Sequence, residues 1–250
     1  MQRRSLIILS AIGGGVLLIG IAIFAYVLRP TAAPSGELTA VPVELNTPEI
    51  ISVSVEPSEA AIDLSETEEV ISEPSVFEII QAESEVRFII DEILRGVPTT
   101  AVGSTDQIAA QLIVDLKDPS SAQVGVIQVN ARTLATDAEN RNRAIRNEIL
   151  DTDEYELISF APNELVGLPE SVSVGESFAF QIVGDLTIRH ITQQVSFETV
   201  VSVDSLTQLS GLASTTIFRE DYELTIPQVP SVAGVDEDIL LEIDFVALAQ

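Results

Sequence analysis

The chain has 250 residues and a net charge of −27 from 39 acidic and 12 basic side chains, with one histidine and no cysteine or tryptophan. That composition excludes disulfides, thiolate nucleophiles, Fe–S clusters and zinc sites built from Cys and His. Lys117 is the sole lysine, and so acidic a chain is a poor match for nucleic-acid phosphates, which require clustered Lys and Arg.

The mean hydropathy is +0.34 despite the acidity, so apolar and acidic residues must occupy different parts of the chain. Residues 1–30 form the first zone. Ser5 to Leu28 is an uncharged run, SLIILSAIGGGVLLIGIAIFAYVL. A membrane span needs roughly 20 apolar residues. Arg3 and Arg4 precede the run. Positive charge before a first span keeps the N-terminus in the cytoplasm and places the chain beyond the span outside. The rival is a cleaved signal peptide and a secreted product. Signal cores are shorter and end at small residues, whereas this run ends in the bulky FAYVLRP. A retained single-pass anchor is therefore the expectation. No cysteine comes after the run, which excludes a lipoprotein anchor.

Residues 31–74 form an acidic spacer with ten carboxylates, no basic residue and five prolines. Like-charge repulsion and proline predict a disordered linker. As a flexible coil its 44 residues reach on the order of 35–40 Å.

From residue 75 to 250 the period changes to two, the signature of strands. In order they are 77–80, 86–90, 107–116, 123–130, 155–169, 177–188, 195–203, 211–218 and 238–248. Phe178, Phe180, Ile182, Leu186 and Ile188 share one face. So do Val195, Phe197, Val201 and Val203, and likewise Ile239, Leu241, Ile243 and Phe245. Thr136 to Leu150 instead places Ile145 and Ile149 at i, i+4 behind the candidate caps Thr136 and Asp137, predicting one short amphipathic helix. The fold class is all-β, a sandwich or a closed barrel.

The order of blocks resembles the YceI-like family. GDLTIRHITQQVSFE at Gly184–Glu198 is similar to its "G-x-LTIRG-x-T-x-x-V" stretch. FEIIQAESEVRFIIDEIL, VNARTLATDAENRNRAIRNEILDTDEYELISF, IFREDYELTIPQV and VAGVDEDILLEIDFVA match the family's other blocks in order. The departures are His190 and Glu223, which stand where glycines are usual, Glu156, where proline is common, and VGSTDQIAAQL, which replaces a glycine-phenylalanine block.

The resemblance implies an exported, lipocalin-like, eight-stranded antiparallel barrel. Its long apolar cavity would hold an isoprenoid or similar long-chain lipid. The implied lining is Phe88, Ile90, Ile127, Val129, Phe160, Phe178, Phe180, Ile182, Leu186, Val195, Phe197, Val201, Leu241, Ile243 and Phe245. The alternative is an exported structural or protein-interaction domain, with the same residues filling a packed core.

Arg132, Arg141, Arg143 and Arg146 cluster in sequence. They either pair with local carboxylates or meet an anionic head group. Arg143 and Arg146, three apart, share a helix face and are the head-group candidates. Arg219 and Asp221 share a face if their strand continues, as a structural ion pair.

No catalytic constellation is present. His190 has no G-x-S-x-G elbow to serve. Asp236, Glu237 and Asp238 lack calcium-loop spacing, and Gly13–Gly15 lies inside the apolar run rather than a phosphate loop. The expectation is a binding protein with no catalytic residue, no metal and no cofactor. Its partners are a lipid and the membrane, with no nucleic acid.

Overall fold

The computed structural model describes residues 32–34, 36–43, 74–228 and 232–250. The apolar run at 5–28 and most of the spacer lie outside them. No helix among the described residues is long and apolar enough to cross a membrane.

The domain is one antiparallel sheet curled into a half-barrel. Its strands are β1 (Ser75–Ile79), β2 (Glu85–Leu94), β3 (Val97–Thr105), β4 (Ile108–Ala109), β5 (Gln111–Val114), β6 (Gln123–Val124), β7 (Ile127–Asn130), β8 (Leu157–Val166), β9 (Ser177–Ile188), β10 (Ile191–Ser205), β11 (Gln208–Phe218), β12 (Val232–Val235) and β13 (Asp238–Ala249). The spatial order is β4-β7-β8-β9-β10-β11-β13-β1-β5-β6, with β2 branching from β13 and pairing in turn with β3 and β12.

The expected eight-strand count is therefore wrong; the sheet has thirteen strands among the described residues. Residues 97–114 explain much of the difference. They run on as β3, β4 and β5 but change partner from β2 to β7 to β1. Bends at Asp106–Gln107 and Ala110 cut this run into three strands. β13 also divides its partners: Leu240–Asp244 pair with β2, and Ala247–Ala249 with β1.

β3 has no counterpart among the strands expected from sequence. Its inward side chains are Ala101, Gly103 and Thr105, all buried, so the usual bulky alternation is absent. The reason lies on β2, where Phe88 faces Gly103. A Cβ at Gly103 would fall within the Phe88 ring. The same device recurs at Gly184, where a Cβ would lie 2.7 Å from Phe160 Cζ, and at Gly211, 2.8 Å from Phe245 Cζ. Glycine here lets aromatic rings lie flat on the neighbouring strand.

The predicted helix begins three residues later than its candidate cap. α1 spans Glu139–Ala144, with Ala138 preceding it and giving no side-chain cap. A π-turn continues it over Ile145–Ile149, closed by Leu150 N–H donating to the Ile145 carbonyl at 2.8 Å.

Positive φ falls at one of the two positions where family glycines were expected and beside the other. Glu223 ends a 3₁₀ turn at Arg219–Tyr222 in the left-handed region, φ +50°. At the β9–β10 turn it is Arg189, next to His190, that takes φ +57°. Because 219–222 turn rather than extend, the expected Arg219–Asp221 pair does not form. Arg219 pairs with Glu237 and donates to the Asp236, Val235 and Leu224 carbonyls.

Candidate functional site: an apolar cavity

The interior has two halves. Toward the β10–β11 turn it is packed. Phe178, Phe180, Val201 and Phe245 leave only about 40 Å³ there. Phe178 and Phe180 stack at 5.7 Å between ring centroids.

Toward the β9–β10 turn the sheet and the helix stand apart and enclose about 530 Å³. This lies within the roughly 300–1,000 Å³ usual for small-molecule sites. Of the residues expected from sequence, Phe88, Ile90, Ile127, Val129, Phe160, Leu186, Phe197, Leu241 and Ile243 line this space. Phe160 and Phe197 meet edge to face at 4.9 Å and form its floor. Ile182 and Val195 line neither space: Ile182 is buried in the core and Val195 packs against it.

The cavity also uses residues not expected from sequence. Ala101, Ile145, Ile149, Ile158, Ile188, Ile217 and Ile239 are among them. The two helix isoleucines roof the cavity because the π-turn carries both to the inner side. Their i, i+4 spacing is the sequence signal that could have found them.

The polar residues of the lining are few: Arg87, Glu92, Arg95, Asn140, Arg141 and Arg219. Arg95 and Asn140 are exposed lining residues, so they mark where the cavity meets solvent. Arg141 and Glu92 also line it. Glu92 continues the inward face of β2 beyond Phe88 and Ile90 and is 9% exposed. A carboxylate that buried requires a partner. Arg141 supplies it, reaching from α1 to Glu92 and also to Asp137. The pair fastens the helix across the cavity. Arg141 is four residues before Ile145, on the same helix face, which is why it and not its neighbours reaches the space.

Arg143 and Arg146, the expected head-group residues, do not line the cavity. Arg146 pairs with Glu139 at 3.3 Å. The Arg143 guanidinium has no hydrogen-bond or ion-pair partner among the described residues. Arg132 is bound by Glu156 at 2.7 Å and by the Thr152 and Asp153 carbonyls.

Arg87 binds Glu85 at 2.7 Å and Glu242 at 3.1 Å. The hydrogen bond from Arg87 holds the Glu85 carboxyl below its ordinary range. Tyr222 is wholly buried and its hydroxyl has no partner among the described residues. Burial pushes that phenol up to about 12.

His190 contacts Tyr155, ring centroids 5.8 Å apart. Among the described residues no cluster of three His, Asp or Glu side chains is arranged to hold a metal.

The arrangement is a curled antiparallel sheet with a helix over an apolar pocket. The sequence profile of the YceI-like domain matches residues 77–247, and the chain belongs to that family. Two solved structures share the fold. One is a polyisoprenoid binding domain from Saccharophagus degradans implicated in plant cell wall breakdown. It is 12% identical, with a TM-score of 0.56 over 70% of this chain and 98% of that one. The other is BcnA of Burkholderia cenocepacia, 15% identical, with a TM-score of 0.55 over 67% and 98%. No curated protein matches the chain.

Proposed function

We propose that the protein is a membrane-tethered, extracytoplasmic binding protein. It holds a long-chain isoprenoid or similar lipid in the cavity without catalysing a reaction on it. The observation that carries this reading is the 530 Å³ apolar space beneath the helix. At about 30 Å³ per methylene-sized group, it accepts on the order of 18 such groups. Each buried group contributes about 0.8 kcal/mol, a gross total of about 14 kcal/mol from the same estimate. Association costs of about 4–15 kcal/mol offset much of that figure. The packed half limits the tail length.

The rim favours an uncharged head. Arg141 is already neutralised by Glu92 and Asp137, and an anionic head would have to displace them. The apolar run at 5–28 and its flanking arginines support the tethering.

The test is to purify the full chain in mild detergent, extract it, and identify co-purifying lipid by mass spectrometry. One long-tailed lipid per chain is expected. A chain that is always empty and accepts no added tail supports the structural-domain reading instead.

A further inference from the structure

Residues 32–34 and 36–43 do not leave the domain. The Ala32 amide donates to Asp153 Oδ1 at 2.9 Å, and Arg132 donates to the Ala33 carbonyl at 3.1 Å. Gln81 donates to the Leu38 carbonyl at 2.8 Å, and the Val43 amide donates to Gln111 Oε1 at 3.2 Å. Ala40 is only 5% exposed. Gly125 leaves room for Val43, since a Cβ there would meet Val43 Cγ2.

The direction of this strap is set by the strand pairings. Leu157 begins β8, which runs antiparallel to β9, so Asp153 lies at the end of the sheet where β9 finishes at Ile188. β2 ends and β3 begins at that same end, through the pairings of β13 with β2 and β11. It is the end where Arg95 and Asn140 mark the cavity's opening. Val43, beside Gln111, lies toward the other end, where β5 pairs with β1. The strap therefore starts at the mouth and runs away from it.

We propose that the strap turns the cavity mouth toward the bilayer and holds it close, so that lipid passes directly between membrane and cavity. This rests on the reading of residues 5–28 as a retained membrane span. Between Leu28 and Ala32 stand only Arg29, Pro30 and Thr31. Four Cα steps reach at most about 14 Å, far less than the ~35–40 Å of a free 44-residue spacer. The mouth end suits the contact. At the β2–β3 tip Val97 is 60% exposed, beside Arg95, whose guanidinium has no partner among the described residues. Asp91 and Asp236–Asp238 also stand at this end, so the bilayer it meets is a neutral one.

The chain has no cysteine, so single thiols report position. Val97→Cys marks the mouth. Leu206→Cys, at a site 70% exposed in the β10–β11 turn, marks the far end. β10 alone has 15 residues, roughly 45 Å at ~3.3 Å per residue. Each full-length variant is labelled with a fluorophore and reconstituted into phosphatidylcholine vesicles carrying a head-group nitroxide lipid. Flotation first reports whether the chain is membrane-bound. The label at 97 is expected to be quenched several-fold more than that at 206. Releasing the strap with Asp153→Ala combined with Ala40→Asp, or with Asp153→Ala combined with Gln81→Ala and Gln111→Ala, is expected to abolish the difference. A chain that floats but shows equal or reversed quenching overturns the strap proposal and leaves the anchor standing. So does a difference that survives both releases. A chain that does not float overturns the anchor and the proposal with it.

Discussion

Replacing Ala101 by phenylalanine separates a ligand cavity from a packed core. Ala101 is buried on β3 opposite Ile90, and it lines the cavity. Its six added carbons occupy at most about 180 Å³ at ~30 Å³ each, roughly a third of the 530 Å³ present. In a filled interior such an insertion costs about 1–3 kcal/mol. In open apolar space the sign reverses, because an unfilled cavity costs about 24 cal/mol per Å³. The gain on that basis is at most about 4 kcal/mol. The same ring takes the place of about six methylene-sized groups of a tail, worth about 5 kcal/mol of burial. The assays are urea unfolding monitored by circular dichroism, and retention of a long-chain isoprenoid alcohol in native mass spectrometry. Ala101→Phe is expected to keep or raise the unfolding midpoint while weakening tail binding at least about a hundredfold, roughly half of the full burial estimate. A fall of more than about 1 kcal/mol in stability with tail binding unchanged refutes the reasoning.

The geometry sets three further expectations. Arg141→Ala leaves Glu92 buried without its main partner and is expected to cost about 3 kcal/mol. The double change Glu92→Leu with Arg141→Leu should recover most of that loss in the same unfolding assay, and failure to recover would show that the pair is not the source. Tyr222→Phe removes an unpaired buried hydroxyl and is expected to stabilise by about 1 kcal/mol. The folded phenol is raised from 10 to about 12, so its contribution is intact below pH 10 and lost as pH climbs toward 12. That alkaline loss should be missing from Tyr222→Phe, and an identical alkaline profile in both proteins contradicts the assignment. Glu223→Gly relieves a left-handed residue at φ +50°. A gain of about 0.5–1 kcal/mol is expected, and a loss would mean that the Glu223 side chain contributes more than its backbone costs.

The sequence announced the long strands and their inward faces because bulky residues alternate along β9, β10 and β13. It concealed β3, whose inward residues are small to accommodate Phe88 and its neighbours. The strand count escaped for a related reason: partner changes along 97–114 depend on how the sheet curls, not on local pattern. At the site, the phenylalanines were legible but their division was not. Phe88, Phe160 and Phe197 face the open half, while Phe178, Phe180 and Phe245 fill the other. Register and sheet curvature decide between them. Arg143 and Arg146 drew attention through helical spacing alone. The isoleucines at 145 and 149 point to Arg141 instead, and its partner Glu92 is 49 residues away in sequence, beyond any local pattern. The strap shows the same limit: acidic and proline-containing sequence predicts a free linker, yet the backbone of residues 36–43 finds partners in the Gln81 and Gln111 side chains.

The most direct test of the central claim is titration of the delipidated full-length chain with an isoprenoid alcohol of about twenty carbons, a length set by the ~30 Å³ per group estimate, read by native mass spectrometry beside Ala101→Phe. The account predicts a saturable complex of one alcohol per chain that the variant fails to form. No complex with the parent chain, or equal binding by both proteins, would contradict it.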